Sequence, residues 1–411
     1  MRVLFVHQNF PAQYRHIAPS LARRQGVQVV GLGENPGDAL PGVRHIRYKP
    51  PAGGAKEAHR YVRRFEQAVW RGQQVARAGL ALKEKGFTPD IVCCHPGWGE
   101  GLYLRDVWPD TKLLYYFEFY YRSSGADVGF DPPGPVQIDD ACRVRTLNAA
   151  HLISLEQADW GQTPTQWQAS RFPDWARARM SVVHEGVDTD AIRRRPDSTF
   201  SLPDGRTLRP GDEVISFVAR GLEPYRGFHV FMRSLPEILA RRPKAQVVMV
   251  GGDDPHYGAK PREGGSWREV LLAELGDRVD RSRMHFTGKI PHAQLLALMS
   301  LSSAHVYLTY PFVLSWSMLE AMSCGCLVIG SRTAPVEEVI EHERNGLLVD
   351  FFSPDALAGT VVRALEDPSA MVPLREAARR TAQERYDLKR VCLPRQLALV
   401  EAVAAGRVPA P

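Results

Sequence analysis

The 411-residue sequence predicts an α/β protein built from two Rossmann-like domains, each a doubly wound parallel sheet, facing one another across a cleft. Three observations lead there. The chain is too long for one small core, since a domain commonly takes about 150 residues. Short apolar, β-branched runs alternate with helix-periodic stretches, which is the pattern of parallel strands joined by helices. The alternation lapses once, between Ala191 and Gly211, and then begins again.

The first series opens with a strand at Arg2 to Val6, a loop, and a helix-like stretch from Gln13 to Arg24. Further strands are predicted at Val27 to Gly31, Ile91 to Cys94, Lys112 to Phe117 and His151 to Ser154. The stretch from Ala191 to Gly211 is rich in Arg, Pro, Asp and Gly and reads as a linker or irregular excursion. The second series has predicted strands at Val214 to Val218, Ala245 to Val250, Met284 to Phe286, His305 to Leu308, Leu327 to Ile329 and Leu347 to Val349. Helices are predicted between them at Phe228 to Arg241, Trp267 to Leu275, Gln294 to Ser300, Met318 to Ser323 and Pro354 to Glu366. Domains 1–190 and 191–387 follow, with a last helix over 388–404. The Pro/Ala-rich tail, Val408 to Pro411, is expected to be disordered. In such sheets ligands bind beyond the carboxyl ends of the strands.

Composition narrows the function. Hydrophobic residues make up 44% and charged residues 24%, ordinary for a globular chain. The net charge of +6 is split evenly, with 23 Lys and Arg against 20 Asp and Glu up to Asp190 and 29 against 26 beyond it. A mild, shared excess suits phosphate-bearing ligands or loose contact with an anionic membrane and is too diffuse for nucleic acid. The six cysteines form no CxxC pair or metal-ligand cluster, and the acidic pairs Asp139-Asp140 and Asp253-Asp254 make no DxD signature, so no metal is expected. No apolar run approaches a membrane span and the amino terminus lacks a signal-peptide core. A cytoplasmic protein is expected, peripheral at the inner face of the membrane if the basic segment His59 to Lys85 lies on lipid. An ordinary solvated helix face is the favoured reading of that segment, since such arginines are common there.

Two segments of the second series carry chemistry. Val218-Ala219-Arg220-Gly221-Leu222-Glu223-Pro224-Tyr225-Arg226-Gly227 leaves a predicted strand with two arginines that can aim at one anion. Alone, they read as surface residues flanking a turn. Tyr310 to Ser331 follows another predicted strand and carries Glu320 on a helix ending at Gly325, where a carboxylate can accept ribose hydroxyls or simply be solvated.

Together these segments resemble the signature of the retaining glycosyltransferases of family 4. Met318 to Ile329 is similar to that family's LEAMACGxPVI helix, with Glu320 at its second glutamate. Arg220 and Arg226 fall on the arginine and lysine of its GRxxxxKG phosphate-binding element. Val248 to Asp253 resembles its VIVGDG strand end, Phe286-Thr287-Gly288 its FxG base-contact turn, and His184 to Asp188 its PNGVD element. The resemblance implies the GT-B architecture, a final helix that crosses back to the first domain, no obligatory cofactor, and a nucleoside-diphosphate sugar as donor, UDP- or GDP-linked. It implies transfer of a hexosyl or related group to a hydroxyl with retention of anomeric configuration, the acceptor being a glycan, lipid-linked glycan or small molecule. A sugar-nucleotide epimerase of the same architecture, or a non-catalytic sugar-nucleotide-binding subunit, remain the alternatives.

In these terms Arg220 and Arg226 neutralise the diphosphate and Glu320 holds the ribose. Gly251, Gly252, Thr287, Gly288, Phe312, Leu314, Ser315, Trp316 and Ser317 complete the donor side. Phe312 stands where the family has its first glutamate, which normally contacts the transferred sugar, so a deoxygenated, acylated or differently oriented sugar is expected. In the first domain the loop His7 to His16 has no glycine, which disfavours a dinucleotide-binding oxidoreductase. His95 and Glu118, each at a predicted strand end, are the expected acceptor-positioning pair, with Phe10, His16, Tyr120 and Arg122 on the acceptor side. For His95 and His16 a packing role is the competing reading, and for Glu118 an ion pair with Arg122.

Overall fold

A computed structural model describes every residue of the chain except 51–52, 54–56, 133 and 410–411. Of the tail expected to be disordered, the last two positions therefore lie outside the described residues. The chain divides into two compact units, Met1–Gly186 with Lys389–Pro411, and Val187–Leu388.

In the first unit seven strands form one parallel sheet: β1 (Arg2–Val6), β2 (Gln28–Gly33), β3 (Val43–Arg47), β4 (Ile91–Cys94), β5 (Lys112–Tyr116), β6 (Trp160–Thr163) and β7 (Met180–Val182). Their order is β3-β2-β1-β4-β5-β6-β7. The central strands are apolar on both faces, as a sheet covered by helices on both sides requires, and Val3 to Val6 are fully buried. The direction of winding reverses between β1 and β4, and loops leaving this pair are free to splay apart and admit a ligand. The helix Leu393–Ala404 packs on this unit, with Leu399, Val400 and Val403 in the same core as Phe5, Ile17 and Leu114.

The second unit holds a two-stranded ribbon, β8 (Phe200–Ser201) and β9 (Thr207–Leu208). It also holds a six-stranded parallel sheet of β10 (Val214–Gly221), β11 (Gln246–Gly252), β12 (Met284–Gly288), β13 (Ala304–Tyr307), β14 (Val328–Ser331) and β15 (Leu347–Val349). The sheet order is β12-β11-β10-β13-β14-β15, so its reversal lies between β10 and β13.

Two sequence expectations need correction. His151 to Ser154 is not a strand but part of the helix Ala149–Gln157, and the strand follows at Trp160–Thr163. The stretch read as a linker is packed, because Phe200, Leu202 and Leu208 are buried against Val214, Val248 and Leu298. The basic segment forms the helix Arg63–Glu84, with Ala68, Gly72, Val75, Gly79 and Leu82 turned inward.

Candidate functional site

The second unit gathers its polar groups where β10, β11, β12 and β13 end. Beyond β10 the chain makes a short 3-10 turn, Pro224–Arg226, and enters the helix Phe228–Arg241. Gly227 makes that entry possible: its φ is +68°, and a Cβ would stand 2.3 Å from Leu308 Cβ. The turn drives Arg226 inward to 7% exposure. Its Nη1 donates to Thr309 Oγ1 at 2.8 Å and to the Val313 carbonyl at 3.2 Å, and its guanidinium lies 5.0 Å from the Tyr257 ring centre. All these partners are neutral. Among the described residues no carboxylate forms an ion pair with Arg226 or with the exposed Arg220. A buried cation without a counter-ion is costly to desolvate, so this position strongly favours an anion.

The surrounding backbone supports the same charge. Ser315 caps the helix Trp316–Ser323, accepting from Ser317 N–H, and its own N–H donates to Tyr307 Oη at 2.8 Å. The helix start thus presents N–H groups and partial positive charge beside the Arg226 contacts at Thr309 and Val313. Leu314, Ser315, Trp316 and Ser317 are half-buried. Glu320, one turn on, accepts from His292 Nε2 at 2.8 Å. Gly251 and Gly252 end β11 beside β10, with Leu222 N–H donating to the Gly252 carbonyl at 2.8 Å. Thr287 and Gly288 end β12, where Thr287 Oγ1 donates to the Gly288 carbonyl at 3.1 Å.

Phe312 is 7% exposed and sits in an aromatic cluster. Its ring meets Tyr225 and Tyr257 edge to face, each at 5.2 Å, while Tyr225 stacks on Tyr310 at 4.6 Å. The segment carrying Tyr257 is tied down by Glu223, which is fully buried and accepts from the backbone N–H groups of His256, Tyr257 and Gly258.

In the first unit, His7 follows β1, His95 follows β4 and Glu118 follows β5. The His7 and His95 rings lie 4.9 Å apart, and Trp98 stacks on His95 at 4.7 Å. His95 Nε2 is 3.7 Å from Glu118 Oε2, and Gln13 Nε2 donates to Glu118 Oε1 at 3.4 Å. Gly97 lets the loop fold over the histidine, since a Cβ there would stand 2.7 Å from His95 Cε1.

Not every expected residue joins these clusters. Phe10 is 1% exposed, with its ring in the space a side chain at Gly31 would need, so it is a core residue rather than an acceptor-facing one. Arg122 donates to the Arg171 carbonyl at 2.7 Å and lies over the Tyr120 ring. It therefore does not pair with Glu118, which accepts from Gln13 and lies beside His95. His16 occupies the N-cap position of the short helix Ile17–Ala22, without a side-chain cap hydrogen bond. The acidic pairs are engaged elsewhere: Asp253 with Arg268, Asp254 with Lys260, Asp140 with Arg143. Sequence reasoning missed His7, His292, Glu223 and Tyr257. Only His7 carried a signal, as the first residue after a buried strand.

Two parallel-sheet units, with an uncompensated arginine at the strand ends of one, define a protein of GT-B architecture. Residues 25–192 match the glycosyl transferase family 4 group and residues 203–385 the glycosyl transferases group 1, and the chain belongs to this glycosyltransferase family. It is similar to spore coat protein SA of Bacillus subtilis, 24% identical over 391 residues that cover 91% of this chain and 90% of that one. It is 29% identical to a D-inositol 3-phosphate glycosyltransferase of Corynebacterium jeikeium over 307 residues, 72% of this chain and 68% of that one. Among solved structures, sucrose-phosphate synthase of Thermosynechococcus elongatus superposes with a TM-score of 0.74 at 19% identity, over 98% of this chain and all of that one. HepE of Anabaena, in complex with UDP-glucose, gives 0.65 at 16% identity over 99% of each chain. Among the described residues no helix is long and apolar enough to cross a membrane.

Proposed function

We propose that this glycosyltransferase moves a hexosyl or related group from a UDP- or GDP-sugar to an acceptor hydroxyl with retention of configuration. The observation that carries the donor assignment is Arg226, a buried guanidinium whose protein partners are all neutral. A diphosphate supplies the missing charge. As the bond to the sugar breaks, negative charge grows on the leaving phosphate, and a donor already fixed beside it stabilises that charge without reorganising. Arg220 adds a second, exposed cation, and the helix start at Ser315 to Met318 grips phosphate oxygens. These cationic and backbone groups meet the diphosphate charge, so we propose no metal requirement and expect activity to persist in a chelator.

Glu320 would take the ribose hydroxyls, oriented by His292, with Gly251, Gly252, Thr287 and Gly288 leaving room for ribose and base. Leu314 and Trp316 flank the same turn. Phe312 withdraws the family's sugar-binding carboxylate, so we expect a deoxygenated, acylated or differently oriented donor sugar; an ordinary hexose donor outperforming every deoxy and acetamido donor would refute that. His95 and Glu118 would hold the acceptor hydroxyl, with Tyr120, Arg122 and His16 farther out on that side. Glycan, lipid-linked glycan and small-molecule acceptors all meet this requirement. Exposed Arg63, Arg64, Arg77 and Lys83 suit electrostatic contact with the cytoplasmic face of an anionic membrane, without insertion.

A thermal-shift panel of UDP-, GDP-, dTDP- and ADP-sugars tests the donor. Specific binding raises the melting temperature by mass action, so one base should stand out. No stabilisation by any of them would remove the donor assignment. Proton NMR of the product formed with the best donor reads retention or inversion directly.

A further inference from the structure

Two histidines in the first unit have their tautomers set by the backbone. His7 Nδ1 accepts from Asn9 N–H at 2.8 Å, and His95 Nδ1 accepts from Gly97 N–H at 3.2 Å. A ring nitrogen that accepts a hydrogen bond carries no proton, so each neutral ring holds its proton on Nε2. Both residues are 2% exposed, and among the described residues neither Nε2 has a partner at hydrogen-bonding geometry. Buried donors are rarely left that way without a purpose. Burial, and then the neighbouring His95, holds the His7 pKa well below its ordinary value, which keeps that ring neutral.

The surroundings indicate what the donors meet. His95 Nε2 and Glu118 Oε2 are 3.7 Å apart, too far to bond. With a neighbouring side chain moved aside to uncover the buried Nε2, one hydroxyl oxygen could sit about 2.8 Å from both, accepting from the imidazole and donating to the carboxylate. The half-buried Gln13 side chain lies beside His7, its Oε1 turned toward the ring. Trp98, 36% exposed and stacked on His95, offers a flat apolar face. The local charge is not that of an anion site. Glu34, Glu100 and Glu118 stand around it, and Arg71 is committed to Glu34 at 2.8 Å, to Glu100 at 4.0 Å and to the Trp98 carbonyl at 3.0 Å. A phosphate here would face carboxylates, and Arg71, the cation described beside them, is already paired.

Building on the acceptor role given to this unit, we propose that His7 acts with His95 as a pair of Nε2–H donors that, together with Glu118, hold neighbouring hydroxyls of a neutral sugar or polyol, and that the site rejects a phosphorylated acceptor. Nitrogen-15 NMR of the full chain carrying labelled histidine reads this directly. The probes are the methyl glycosides of glucose, galactose and mannose, and glucose 6-phosphate as the anionic counterpart. We expect both rings as the Nε2–H tautomer at neutral pH, and a saturable movement of both Nε2 signals with at least one glycoside. Glucose 6-phosphate should bind about tenfold more weakly or worse. His7→Phe should weaken the glycoside about tenfold. His7→Gln, whose amide N–H reaches the Nε2 position, should recover much of that loss, which a merely structural role would not produce. An Nδ1–H tautomer at either ring, a response to none of the three glycosides, or equal binding of the sugar phosphate overturns the proposal. Stabilisation by UDP or GDP in the same samples reports the donor assignment separately, so its failure is distinguishable from failure here.

Discussion

At the scale of single residues, the donor site turns on a charge that the fold has desolvated and left without a counter-ion. Replacing a buried ion by an apolar group of similar volume is often neutral or stabilising, whereas removing a group poised for transition-state charge costs about 3 kcal/mol. Arg226→Met should therefore lower kcat by roughly a hundredfold or more while the melting temperature stays level or rises. A variant that keeps its turnover, or one that loses activity only because it unfolds, would remove Arg226 from the mechanism. Arg226 and Glu320 were legible in the sequence because each sits inside a local pattern at a strand end. Their partners were not. Thr309 lies 83 residues from Arg226 and His292 lies 28 from Glu320, and what brings them together is strand order, which local periodicity does not encode.

At the scale of elements, Glu223 shows how one carboxylate shapes a loop. It is fully buried at the end of β10 and accepts three consecutive N–H groups, those of His256, Tyr257 and Gly258, thereby setting Tyr257 against Arg226 and Phe312. Glu223→Gln replaces one acceptor oxygen with a donor, so at least one of these N–H groups loses its partner at a cost of about 1–3 kcal/mol. Hydrogen exchange at residues 256–258 should speed by tenfold or more, and the donor KM should rise more than kcat falls. Unchanged exchange would mean that the loop is held by something else. The central strands and the long amphipathic helices were readable because a two-sided buried sheet and a 3.6-residue stripe leave distinct patterns. His151 to Ser154 was misread because a short segment with only Leu152 and Ile153 apolar fits a strand and a helix turn equally well. The edge strand Val43–Arg47 went unseen because alternation with Arg44, His45 and Arg47 leaves it half polar.

At the scale of the whole molecule, both units carry histidines that burial holds neutral. His151 and His184 in the first and His305 in the second each have a pKa lowered from 6.5 to about 4 by burial. In the unfolded chain the same rings take a proton near pH 6.5. Above that pH neither state binds the proton and stability is unaffected; between 6.5 and about 4 the unfolded state binds more protons, so acidification favours unfolding. Each such histidine removes about 1.4 kcal/mol per pH unit across that window. Carboxylates paired with arginine, such as Asp159 with Arg105 and Lys112, have a lowered folded pKa and lose their contribution only as pH falls further, through the carboxylate range. Urea unfolding at pH 7.5, 6.5, 5.5 and 4.5 should therefore show a plateau between the first two points and a decline through the others. With two units the decline is expected in both transitions if they separate, since each contains at least one of these rings. Stability that is flat from pH 6.5 to 4.5 would show that the buried histidines are protonated in the folded protein. The Nε2–H donors proposed for His7 and His95 would then need re-examination by the same NMR titration, because a protonated His7 could no longer accept the Asn9 N–H that fixes its tautomer.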